Sequence, residues 1–114
     1  MEERIKVFIA DESSESRRAL RENLTRAGID VVDETGTGMD LLTKVKRSLP
    51  DVVLIDIWLP KTDTVQVIKK TKALFQDPAN IPDFIIFSSC SNPNLFAEAT
   101  EAGAAYCMQK PFEY

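Results

Sequence analysis

The sequence predicts an α/β domain: a doubly wound, five-stranded parallel sheet with helices on both faces. Three observations lead there. Short apolar runs of strand length alternate with segments of helical periodicity along the whole chain. The runs are apolar at consecutive positions, as in IKVFIA (5–10), VVLIDI (52–57) and FIIF (84–87), which suits strands covered on both faces. Glycine or proline punctuates the joins, at Gly28, Pro50, Pro93 and Gly103.

Each element follows in order. After the first strand, residues 14–27 place Leu20, Leu24 and Ala27 on one helical face. Ser13 is the expected N-cap, Glu15 complements the helix dipole in the first turn, and Gly28 fits the position just past the end. IDVVD (29–33) is a short second strand. Residues 38–49 bring Leu41, Leu42, Val45 and Leu49 together before Pro50 stops the helix. The third strand, 52–57, precedes a helix over 64–75 with Val67, Ile68, Thr71, Leu74 and Phe75 on one side. QDPANIPD (76–83) is the longest turn-rich connection before the fourth strand. Asn92 then reads as N-cap, Pro93 as the first helical residue and Gly103 as the stop. AAYCMQ (104–109) is the fifth and weakest strand.

Composition excludes several classes of function. The 114 residues suit a single domain, 1–114, with one core of modest size. A formal net charge of -4 argues against bulk electrostatic binding to nucleic acid or an anionic membrane. No apolar run approaches the roughly 20 residues that span a bilayer. MEERIKVFIA is no secretion signal, so the expected location is cytoplasmic, with Cys90 and Cys107 as free thiols. There is no histidine, which removes Ser-His-Asp and Cys-His catalysis and histidine-rich zinc sites together.

The chemistry collects at the carboxyl ends of the strands, where open parallel sheets bind ligands. Asp11 and Glu12 follow the first strand, Asp56 sits near the end of the third, Ser88 and Ser89 follow the fourth, and Lys110 follows the fifth. Taken singly, each has an ordinary explanation: acids at a helix start, turn serines, a solvated lysine. Taken together they need a joint one. Three carboxylates about 5 Å apart repel by roughly 3 kcal/mol per pair at an effective dielectric near 20. Lys110 supplies one compensating charge, and a hard dication with oxygen ligands, Mg²⁺, suits the remainder. A carboxylate, Mg²⁺ and an ammonium group are equipment for accepting a phosphoryl group.

Asp11-Glu12, Asp56 with Pro60 four residues on, Ser88 and Lys110-Pro111-Phe112 together resemble the receiver domain of two-component response regulators, across essentially the whole chain. The resemblance implies the flavodoxin-like, CheY-like version of the fold. It implies Asp56 as the phosphoacceptor, with Glu12, Asp56, Asp11 and the backbone carbonyl of Trp58 around Mg²⁺. Ser88 is then the switch hydroxyl and Lys110 the partner of a phosphoryl oxygen, with a cis Lys110-Pro111 bond. Implied too are a histidine kinase or histidine phosphotransferase as donor, and a switch that controls an effector in transcription. Such a domain catalyses its own phosphorylation and dephosphorylation without being a turnover enzyme. Within the family, AGAAYCMQKPFEY is most similar to the receiver of the master sporulation regulator of endospore-forming bacteria.

The chain departs from the family pattern in places. Glu12 replaces the usual aspartate, Thr64 the usual glycine and Ser89 the usual alanine, while Cys107 occupies the aromatic switch position with Tyr106 one residue early. Glu12, Thr64 and Cys107 favour the alternative, a non-phosphorylated pseudo-receiver acting as a protein-interaction module. A dehalogenase-type phosphatase wants Asp-x-Asp, and Trp58 stands at its second position. Arg17, Arg18 and Arg21 form either a solvated helix face or a dock for an acidic or phosphorylated partner. Family members carry a fifth helix after the Lys-Pro pair; its absence from this chain predicts a truncated receiver without its effector, one sheet face covered by the first helix alone, and either a homodimer or reduced stability relative to a longer chain.

Overall fold

The computed structural model describes residues 4–56, 59, 63–88 and 93–109. Five strands form one parallel sheet: β1 (Lys6–Ala10), β2 (Asp30–Thr35), β3 (Val52–Asp56), β4 (Asp83–Ser88) and β5 (Tyr106–Gln109). Their spatial order is β2-β1-β3-β4-β5, the doubly wound arrangement whose order reverses beside β1. Between them run α1 (Ser14–Arg26), α2 (Gly38–Ser48), α3 (Thr64–Leu74) and α4 (Pro93–Ala102). A short 3₁₀ turn, Pro78–Asn80, sits in the connection before β4.

The helix boundaries follow the expected chemistry. Ser13 caps α1, its hydroxyl accepting from the Ser16 amide at 3.2 Å. Gly28 follows the end of α1 with φ at 84°, a left-handed turn that glycine takes without a steric penalty. Asp63, which the sequence reading passed over, caps α3 by accepting from the amides of Val65 and Gln66. The Asn92 cap lies outside the described residues. At the other end of α4, Gly103 turns at φ 109°, and Lys72 of α3 donates to its carbonyl at 3.0 Å. A Cβ at Gly103 would displace the end of that lysine side chain, and the positive φ is what makes glycine the favoured residue at this join.

Two expectations change. Leu49 does not share the buried face of Leu41 and Val45; it adopts a left-handed conformation and is exposed. Pro50 disfavours a helical Leu49, so α2 ends at Ser48 and Leu49 swings out. The second strand runs to Thr35 instead of stopping at Asp33. Its pairing with β1 shifts by one between Val7 and Phe8, leaving Val32 as an extra residue. That bulge breaks the alternation by which the strand would have been recognised.

The sheet separates two apolar layers. Phe8, Val53, Ile55, Phe84 and Ile86 face α2, α3 and α4, meeting Leu41, Val45 and Ile68; all eight are fully buried. Val7, Ile9 and Phe87 face α1 and meet Leu20, with Val52 and Leu54 only partly covered. Among the described residues α1 is the one helix in that second layer.

Phe84→Ala removes a fully buried ring and should cost about 3–5 kcal/mol, against a change within about 0.5 kcal/mol for exposed Met39→Ala. Urea unfolding of the two variants beside the parent measures both.

Candidate functional site

Parallel register sets the site. β1 and β3 pair residue for residue up to Ala10 opposite Ile55. One step further along stand Asp11 and Asp56, abreast on neighbouring strands that lie about 4.8 Å apart. Asp56 in turn pairs with Phe87 of β4, and Ser88 is the next residue. The apolar strands hold these residues while the strand ends bring them to the edge. Side chains alternate along a strand, so Asp56 shares the side of Leu54, the side α1 covers.

Asp11 is the most enclosed of the acids, with 1% of its surface exposed. Its amide donates to the Thr35 carbonyl at 3.0 Å, extending the β1–β2 pairing by a residue. One carboxylate oxygen accepts from the Ser13 amide at 3.0 Å, which turns the chain into α1. Glu12 between them is exposed, consistent with its extra methylene reaching outward. Asp56 is half-buried.

Thr64 explains one departure from the family pattern. It is buried, and its hydroxyl donates to the Asp56 carbonyl at 3.2 Å. The first residue of α3 is thereby tied to the backbone of the candidate phosphoacceptor, a contact that glycine cannot make.

Arg17 does not lie on a solvated helix face: its guanidinium turns inward over the acidic loop. Nη1 donates to the carbonyl of Asp11 and, at 3.1 Å, to that of Glu12. Nε lies 3.5 Å from a Glu34 carboxylate oxygen, an ion pair too misaligned to be a hydrogen bond. Arg21 meets Glu34 directly, through Nε at 2.8 Å and Nη2 at 2.7 Å. Arg18 is exposed and keeps the solvated character expected of it.

Trp58, Lys110 and the Lys110-Pro111 bond lie outside the described residues, as do Ser89 and Cys90. Ser88 is placed by its backbone alone. Cys107 packs against the larger core layer, with the Thr100 hydroxyl 4.0 Å from its sulfur. Among the described residues no three carboxylate or thiol side chains gather to hold a metal unaided. Mg²⁺ does not require that: it takes one or two carboxylates, keeps several waters and accepts further oxygens from a substrate. Asp11 and Asp56, abreast at one edge and all-oxygen in donor chemistry, fit such an ion. An open cleft of about 400 Å³ lies at the opposite, amino end of the sheet between Lys6, Asp51 and Asp83, remote from these acids.

Residues 7–114 match the response regulator receiver domain family. The chain belongs to that family. It is 35% identical over 110 residues to an uncharacterized transcriptional regulatory protein, YhcZ, of Bacillus subtilis, covering 96% of this chain and 50% of that protein. It thus spans about half the length of that relative. It is 31% identical over 108 residues to the chemotaxis protein CheY of Thermotoga maritima, covering 95% of this chain and 87% of the other. Among solved structures, the receiver domain of the putative response regulator NarL from Mycobacterium tuberculosis superposes with a TM-score of 0.87 at 26% identity, covering 98% of this chain and 88% of that one. The CheX-CheY-BeF3-Mg complex from Borrelia burgdorferi contains the same fold, with a TM-score of 0.85 at 22% identity over 96% of this chain and 80% of that one. No helix among the described residues is long and apolar enough to cross a membrane.

Thr64→Val keeps the volume and removes the hydroxyl that reaches the Asp56 carbonyl. The loss should be about 1–2 kcal/mol of stability by urea unfolding. Amide exchange should quicken at Asp56 and at the start of α3.

Proposed function

We propose that this chain is a phosphorylatable receiver, with Asp56 accepting a phosphoryl group from a phosphohistidine donor. The observation that carries this is the register that puts Asp56 and Asp11 abreast at the carboxyl edge, with Ser88 one strand away, in a chain of the receiver family. An oxygen of Asp56 attacks phosphorus in line. The O–P bond forms as the N–P bond breaks, and the donor imidazole leaves with the electron pair and takes a proton. Lys110, the next residue in the sequence after β5, pairs with a phosphoryl oxygen in this scheme.

Mg²⁺, when bound by Asp56, Glu12 and the carbonyl of Trp58 with Asp11 assisting, neutralises charge on the phosphoryl oxygens. The apolar strand behind Asp56 holds it fixed for attack. Hydrolysis reverses the modification: water attacks phosphorus, inorganic phosphate departs and the carboxylate returns. The phosphoryl group biases a two-state equilibrium through Ser88 toward α4 and β5.

The donor is a histidine kinase or a histidine phosphotransferase. The output is control of an effector, and the half-length match to a transcriptional regulatory protein supports transcription. The likeness to a sporulation regulator rests on AGAAYCMQKPFEY together with the longer loop, QDPANIPD, before β4. The second reading, a pseudo-receiver, draws support from the exposed Glu12 and from the lack of a three-acid cluster among the described residues.

One experiment separates the two. Incubation with acetyl phosphate and Mg²⁺ should add the mass of one phosphoryl group, and Asp56→Asn should abolish the gain. Trp58, the single tryptophan, should change its fluorescence on Mg²⁺ addition and again with beryllofluoride. A parent protein that gains no mass and shows neither change is a pseudo-receiver.

A further inference from the structure

We propose that Arg17 is a positioning residue for the acidic loop, gripping the carbonyls of Asp11 and Glu12 so that their carboxylates are aimed at the strand edge. This rests on the receiver reading for its consequence, Mg²⁺ binding, but not for the grip itself. One guanidinium nitrogen reaches both carbonyls. With those two oxygens held, the Asp11 side chain completes its turn to the Ser13 amide, and Glu12 has its backbone fixed.

The grip is itself supported from β2. Glu34 faces Arg17 and is held by Arg21 one helical turn along, so the arginine has a charged neighbour fixed in place. Lys44 of α2 donates to the Glu34 carbonyl at 3.3 Å, which steadies the same strand. Gly36 leaves the space: a Cβ there would stand 3.1 Å from the Arg17 nitrogen, closer than ordinary contact. An arginine, a facing acid and a glycine from two elements thus converge on two backbone oxygens beside the acids.

Charge and geometry make opposite predictions for Mg²⁺. If Arg17 acted only as a nearby cation, neutralising it would tighten binding of a dication. If it positions the loop, neutralising it weakens binding. Partners that orient metal ligands typically carry 10–100-fold in metal affinity.

The test uses the full chain and two measurements. Without metal, amide exchange at Ser13 and Ser16 should quicken in Arg17→Gln, because the turn and cap they serve lose their anchor. With metal, the Mg²⁺ dissociation constant should rise about tenfold, while the labelling rate from acetyl phosphate recovers at saturating Mg²⁺. Gly36→Ala keeps the charge but displaces the guanidinium, and should shift both readouts in the same direction by less. Arg17→Lys should restore part of the affinity, and Arg18→Gln should leave both unchanged. Unchanged exchange in Arg17→Gln, or tighter Mg²⁺ binding, would overturn the proposal. A parent protein that binds no Mg²⁺ sinks the receiver assignment, and the exchange measurement still decides whether Arg17 grips the loop.

Discussion

A carboxylate can be both rigid and wet in a small domain only at the end of a buried strand. In the middle of β3 its ionised form would cost several kcal/mol. On a loose loop it would not hold an attacking angle. Asp56 sits at the boundary: Val53 and Ile55 behind it are fully buried, and the residue itself is half-buried. The parallel pairing of β1 with β3, in register up to Ala10 and Ile55, then brings Asp11 to the same edge. The core layers matter to function through this register.

Around that edge, contacts between elements secure the backbone more than the side chains. Thr64 ties α3 to the Asp56 carbonyl, and the Asp11 amide ties β1 to Thr35. Arg17 joins α1 to the loop that carries Asp11 and Glu12. The chain beneath the acids is pinned from three directions. The same arrangement links β2 to the acidic loop through the side chains of Glu34 and Arg17.

Much of the fold was legible because its signals are local. Apolar runs marked β1, β3 and β4, and Ser13, Gly28, Pro50 and Gly103 marked helix ends that the structure keeps. β2 was harder, since an edge strand carrying Asp30, Asp33 and Glu34 with a bulge at Val32 has no clean period. Leu49 misled because its spacing is helical while the proline after it is not permissive. Asp63 could have been read as a cap, being an aspartate just before a helix. The acids at the strand ends were legible from topology. Arg17 was not: the four arginines of α1 look alike in sequence, and only Glu34 and the space at Gly36 decide which one turns inward over the loop.

The central claim is that the carboxyl edge of β1, β3 and β4 is where this protein meets metal and phosphoryl group. Amide chemical shifts of isotopically labelled protein, titrated with Mg²⁺ and then beryllofluoride, test it directly. The account predicts that the largest changes fall at residues 11–13, 56, 64 and 88. Changes centred instead on Lys6, Asp51 and Asp83 at the opposite end of the sheet, or none at any of these positions, would contradict it.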